Sequence, residues 1–152
     1  MKILLIADVH HRPNVNALRR IKTLKGLKKI IDTCPCDLIV FLGDMIHGPD
    51  FENNKALFEK YLCEVLDLTK NVPFATVFGN HDDECGVTKD EILGIISTYK
   101  NALTKGRNYT LNMQNETLLF IDSGAYFDGE GSLYDTVKTE VIEWAKGEIQ
   151  GK

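Results

Sequence analysis

The chain has 152 residues and 17.1 kDa, with 43% hydrophobic and 26% charged residues, which bounds it to one globular domain or most of one. This balance excludes disordered, collagen-like and low-complexity classes, and its longest apolar runs fall far short of the ~20 residues of a membrane span. With 18 Lys and Arg against 22 Asp and Glu, the formal net charge of −4 argues against a protein whose main work is gripping a nucleic-acid backbone.

In chain order, Lys2–Ala7 is a continuous apolar run, the pattern of a strand buried on both faces. One positive charge and no cleavage-like stretch make it a first strand rather than a signal peptide. Asn14 or Asn16 can cap a helix running to about Asp32. Its apolar positions Leu18, Ile21, Leu24 or Leu27, Ile30 and Ile31 recur at helical spacing, and its basic stretch from Arg19 to Lys29 reads as a solvated face. Asp37–Leu42 is a second buried strand, stopped by Gly43-Asp44. Phe51–Lys70 reads as one long amphipathic helix. Pro73–Phe78 is a third strand, stopped by Gly79-Asn80. Thr88 with Glu91 three residues on forms a capping box for a further helix.

This βαβαβα order predicts a parallel sheet with right-handed crossovers. The pattern then changes. Tyr109–Met113 and Thr117–Ile121 flank Gln114-Asn115-Glu116 as a hairpin, and a last helix is expected over about Asp135–Gly147. The four cysteines, Cys34, Cys36, Cys63 and Cys85, lack zinc-site spacing, and without a leader they point to a reduced, cytoplasmic chain.

Each parallel strand ends in a polar cluster: Asp8-Val9-His10, then Gly43-Asp44, then Gly79-Asn80-His81-Asp82. Ligands of open α/β sheets bind beyond the carboxyl ends of the strands. Oxygen and imidazole donors without thiolate suit Mn, Fe, Zn or Mg better than a structural zinc. A flavodoxin-like receiver with an acidic Mg²⁺ pocket accounts for Asp8 and Asp44 but leaves Gly79–Asp82 unexplained.

Together these motifs resemble those of the calcineurin-like metallophosphoesterase superfamily. The segment Leu119–Gly124, followed by Glu140-x-x-Glu143-Trp144, is similar to its purple-acid-phosphatase-like and Dcr-type branch, and the likeness spans about residues 1–145. It implies an α/β fold, a metallophosphoesterase-like αββα sandwich, here with a parallel or mixed first sheet, flanking helices and an incomplete second sheet. It implies two divalent metal ions (Mn, Fe or Zn), with Asp8 and His10 on the first, Asp44 as the bridge and Asn80 on the second. It also implies a phosphate-ester substrate hydrolysed by metal-activated water, with His81 as general acid or transition-state donor and Asp82 holding its imidazole. His47 stands where the purple acid phosphatases place a metal-binding tyrosine, so it is an additional candidate; as a plain loop histidine it would do neither job. His11 should point away from His10.

The superfamily completes its site with three more histidines beyond the hairpin, whereas the histidines here are at 10, 11, 47 and 81. The chain thus reads as a single domain, 1–152, lacking the C-terminal part of that architecture. Fragment, short form and completion by another chain are the competing explanations. Partial metal occupancy, or none, is expected. The rival reading is a catalytically incomplete binding or regulatory module on the same fold. With the second sheet half-built, part of the face formed by Ile3–Ile6, Leu38–Phe41 and Phe74–Phe78 lacks its cover, which predicts a homo-oligomer. The alternative is a last helix folded across that face through Val137, Val141 and Trp144.

Overall fold

The structure is a computed structural model that describes residues 1–70, 72–113, 116–124 and 136–150. The three apolar runs form a parallel sheet of β1 (Ile3–Ile6), β2 (Leu38–Leu42) and β3 (Phe74–Val77), in that spatial order. Ile3 pairs with Leu38 and Ile39 with Phe74, so all three strands finish at one edge. Between them run α1 (Ala17–Thr33) and α2 (Lys55–Leu66), and α3 (Lys89–Ile96) follows β3. Each helix starts where a polar side chain satisfies a free backbone N–H. Asn16 accepts from Leu18, Asn54 accepts from Leu57, and Thr88 and Glu91 cap each other reciprocally. The antiparallel hairpin of β4 (Tyr109–Met113) and β5 (Glu116–Phe120) and the helix α4 (Thr139–Gln150) complete the chain. Gln114 and Asn115 of the expected turn, and Asp135 at the expected start of the last helix, lie outside the described residues.

Strand alternation splits the core in two. Ile6, Ile39, Phe41 and Phe74 face the helices, where Leu27, Ile31, Phe58 and Leu62 meet them. Leu38, Val40 and Ala75 face the hairpin and pack on Tyr109, Leu111 and Phe120. Lys89 and Asp122 tie the start of α3 to the end of β5 through a buried ion pair at 2.8 Å. Two sheets thus pack face to face, as the resemblance implies, with two strands in the second sheet among the described residues.

The structure departs from the sequence reading at four places. Leu5 is 59% exposed, so β1 is not buried on both faces: it is an edge strand, and β5 does not reach far enough to cover it. On α1 the core-facing stripe is narrower than the periodicity suggests. Leu27 and Ile31 are buried, while Leu18, Ile21 and Ile30 fall on its flanks and stay exposed. The expected helix Phe51–Lys70 is broken at both ends. Glu52 and Asn53 take positive φ after a 3-10 turn at Gly48–Phe51, and Asp67–Thr69 closes in a second 3-10 turn. Finally, α4 does not cover the bare face of the first sheet. It packs beside the hairpin, with the Thr110 hydroxyl 3.3 Å from Glu148, and buries no residue fully. A trough of about 460 Å³ remains between the first sheet and β5, lined by Leu5, Leu42, Val77, Leu119 and Ile121.

Candidate metal centre

The strand-end loops interlock through their backbones. Asp8 donates to Gly43 O at 3.3 Å, His10 to Asp44 O at 2.9 Å and His11 to Met45 O at 3.0 Å. Gly48 donates to His81 O at 3.0 Å. Close approach explains two of the glycines. Gly43 has φ +93°, and a Cβ there would lie 2.4 Å from the nitrogen of Gly79. A Cβ on Gly79 would lie 2.1 Å from Oδ1 of Asp44. Asp8, His10 and Asp44 all hold the left-handed conformation, with φ of 53°, 45° and 50°. Non-glycine residues adopt it at a cost, and such strain concentrates at functional sites.

These turns gather Asp8, His10 and Asp44 so that one ligand atom from each lies within 4.8 Å of the others. His10 Nε2 stands 3.6 Å from Asp8 Oδ1 and 3.8 Å from Asp44 Oδ2. Those separations exceed a hydrogen bond. Two donors each ~2.1 Å from one tetrahedral ion stand about 3.4 Å apart, so the spacing suits a shared cation better. The imidazoles of His10, His47 and His81 form a triangle with ring centroids 4.8–5.4 Å apart. Nδ1 of His10 and Nδ1 of His47 are buried without a hydrogen-bond partner among the described residues. Burial also pushes the pKa of His47 down, which keeps it neutral and able to ligate. Asp44 uses its other oxygen to accept from the His81 N–H at 3.0 Å. Asn80 sits half-buried on the same turn as His81.

Asp82 does different work from the one the resemblance implies. Its buried carboxylate accepts from the backbone N–H groups of Gly79 at 2.8 Å, Asp44 at 2.9 Å and Ile46 at 3.5 Å. Burial pushes its pKa up to about 6, against those N–H donors. It clamps the β2 and β3 loops together. The His81 ring is held instead by Glu84, whose Oε2 lies 2.5 Å from Nδ1. Sequence reasoning missed Glu84, although its spacing of three from His81 places both on one side of a turn. His11 points away from His10, as expected, and lies buried against Glu64 at 2.8 Å and the ring of Tyr61. Cys85 is buried, and burial raises its thiol pKa, which leaves it a core residue rather than a reactive one.

The profile of the family described as calcineurin-like phosphoesterase matches residues 1–147. The chain belongs to this family. The chain is similar to "Probable inactive purple acid phosphatase 29" of Arabidopsis thaliana, with 28% identity over 94% of the chain and 46% of that protein. With "Probable inactive purple acid phosphatase 14" of the same plant it shares 26% identity over 82% of the chain and 37% of that protein. "Phosphatase DCR2" of Saccharomyces cerevisiae is 31% identical over 55% of the chain and 14% of that protein. The chain spans less than half the length of these curated relatives.

Proposed function

We propose that this chain carries a metal-dependent phosphoesterase centre that hydrolyses phosphomonoesters or phosphodiesters. The observation that carries the reading is the convergence of Asp8, His10 and Asp44 from two strand ends, with unbonded ligand atoms facing one another. The orphaned ring nitrogens nearby and the oxygen-and-imidazole donor set fit a divalent cation such as Mn, Fe or Zn. When bound, such an ion polarises a phosphoryl oxygen and makes water a nucleophile at neutral pH.

The chain's own residues do the rest. Asp44 anchors the site, because one oxygen faces His10 while the other holds the backbone of His81. Glu84 engages His81 Nδ1 and orients the ring, so that Nε2 of the doubly protonated imidazole would meet the leaving oxygen as donor. Asp82 acts through the backbone, keeping the two loops at their working separation. Asn80 and Asp44 would hold a second ion, and His47 would be a further donor at the rim. Four unpaired cysteines support a reducing, cytoplasmic compartment. Among the described residues no helix is long and apolar enough to cross a membrane.

A second reading, a binding module on the same fold, is favoured by the ligand count: three side chains serve one ion and Asn80 alone is added for another. The naming of the Arabidopsis relatives as probable inactive enzymes agrees with it. Calorimetric titration of the chelator-stripped chain with Mn²⁺, beside an aryl-phosphate assay, separates the readings. Weak, pH-dependent binding with slow turnover, both abolished in Asp44→Asn, is the expected result. Binding without turnover favours the module. Unaltered Mn²⁺ binding by Asp44→Asn removes the metal centre itself.

A further inference from the structure

Beside the metal centre, with His10 as the shared wall, lies a separate polar cavity of about 230 Å³. Arg12, Arg19, Arg20 and Thr23 line it, and no carboxylate does, although the chain as a whole is acidic. The guanidiniums are only partly engaged. Arg20 bonds to the hydroxyl of Tyr61 and lies 5.2 Å from the centre of its ring, which fixes its direction without neutralising it. Arg12 stands 3.7 Å from Asp50, beyond hydrogen-bond range. Arg19 has no carboxylate partner among the described residues. The carboxylates behind the wall face other groups: Glu64 is bound to His11, and Asp8 and Asp44 face His10 from the metal-centre side. Arg19 and Arg20 also occupy the first turn of α1, which holds no acidic residue. Cations there oppose the helix dipole, so their placement costs local stability. Local choices that work against an element are expected where a site needs them.

We propose that this cavity is an anion site that receives a second phosphoryl group of the substrate, so that the preferred esters carry two phosphates. Ligand pockets for whole molecules run to roughly 300–1,000 Å³; a smaller cavity fits one group of a larger ligand. Arginine forks match phosphate oxygens in pairs, and the Thr23 hydroxyl, which donates to the Arg19 carbonyl at 3.1 Å, borders the site. The position next to His10 makes the occupant part of a molecule that also reaches Asp8 and Asp44. That last step rests on the hydrolytic reading of the metal centre, whereas the anion site itself needs no metal.

The test has two arms. In the first, the EDTA-treated chain is titrated with inorganic phosphate and followed by ¹H–¹⁵N NMR. Shifts are expected at Arg12, Arg19 and Thr23, and affinity should fall at least tenfold in Arg19→Ala. Arg19 is an exposed helix position, and circular dichroism checks that the variant is folded. Shifts elsewhere, or unchanged affinity in the variant, overturn the site. In the second arm the Mn²⁺-loaded chain is titrated with fructose 1,6-bisphosphate and fructose 6-phosphate. The bisphosphate should bind at least tenfold tighter, and Arg19→Ala should erase the difference. Equal affinities would make free phosphate the occupant and overturn the substrate assignment. Failure to bind Mn²⁺ at all, read separately, would strike the metal centre and leave the first arm intact.

Discussion

Asp8, His10 and Asp44 hold a backbone conformation that ordinary residues avoid, and hydrogen bonds to the neighbouring loop keep them there. Each such residue costs on the order of 1–3 kcal/mol. A site built this way is sensitive to its supports. Gly79→Ala would thrust a methyl into Asp44, so Mn²⁺ affinity should drop at least tenfold by calorimetry; wild-type affinity in that variant would show that the loops have slack to give. His11 makes a second residue-scale prediction. Desolvation lowers its pKa from the usual 6.5, against the pull of Glu64. The unfolded chain therefore takes up the proton first as pH falls. Stability should decline as pH drops through 6.5 and level off below the folded-state pKa. Urea unfolding of metal-free wild type and His11→Gln measures this, and equal slopes over that window would contradict it.

Among the elements, a buried pair joins the end of the hairpin to the helix layer. Lys89 and Asp122 are each largely withdrawn from water, and Lys89 Nζ also lies 5.6 Å from the centre of the Phe78 ring. Removing one partner of such a pair strands a buried charge. Asp122→Ala should cost about 3–5 kcal/mol in denaturant unfolding, and Lys89→Met with Asp122→Leu should recover most of the loss. A loss under ~1 kcal/mol for the single variant would mean that water reaches Lys89. The helix boundaries follow simpler rules: Thr88 and Glu91 close the start of α3 as the sequence pattern demands, while α2 begins later than its apolar run because Glu52 and Asn53 take positive φ and Asn54 then caps the helix.

At the scale of the whole molecule, an open trough of about 460 Å³ lies between the first sheet and β5. Leu5 at 59% and Leu42 at 45% exposure lie on a flank that no element among the described residues covers. The outer edge of β5 pairs with no other strand among the described residues. We propose that two copies meet there. Light scattering at micromolar concentration should give a species heavier than 17.1 kDa, and Leu5→Lys should return it to that mass. A wild-type monomer at 17.1 kDa would dismiss the dimer.

The sequence by itself determined the parallel sheet, the helix cap at Thr88, the hairpin and the three motifs that meet at the strand ends, and it narrowed the cap of α1 to Asn14 or Asn16. All of these show in local signals, such as apolar runs, a cap and its N–H, or a glycine at a turn, even where the pairs they lead to join residues as distant as Ile3 and Leu38. Only the tertiary structure decided that Asp82 clamps backbone while Glu84 holds His81, because burial and direction are set by loops some forty residues apart. The same holds for the exposed flank of β1 and the position of α4 beside the hairpin. A run such as Ile3–Ile6 is equally apolar whether one face or both are covered, and coverage depends on where distant elements end.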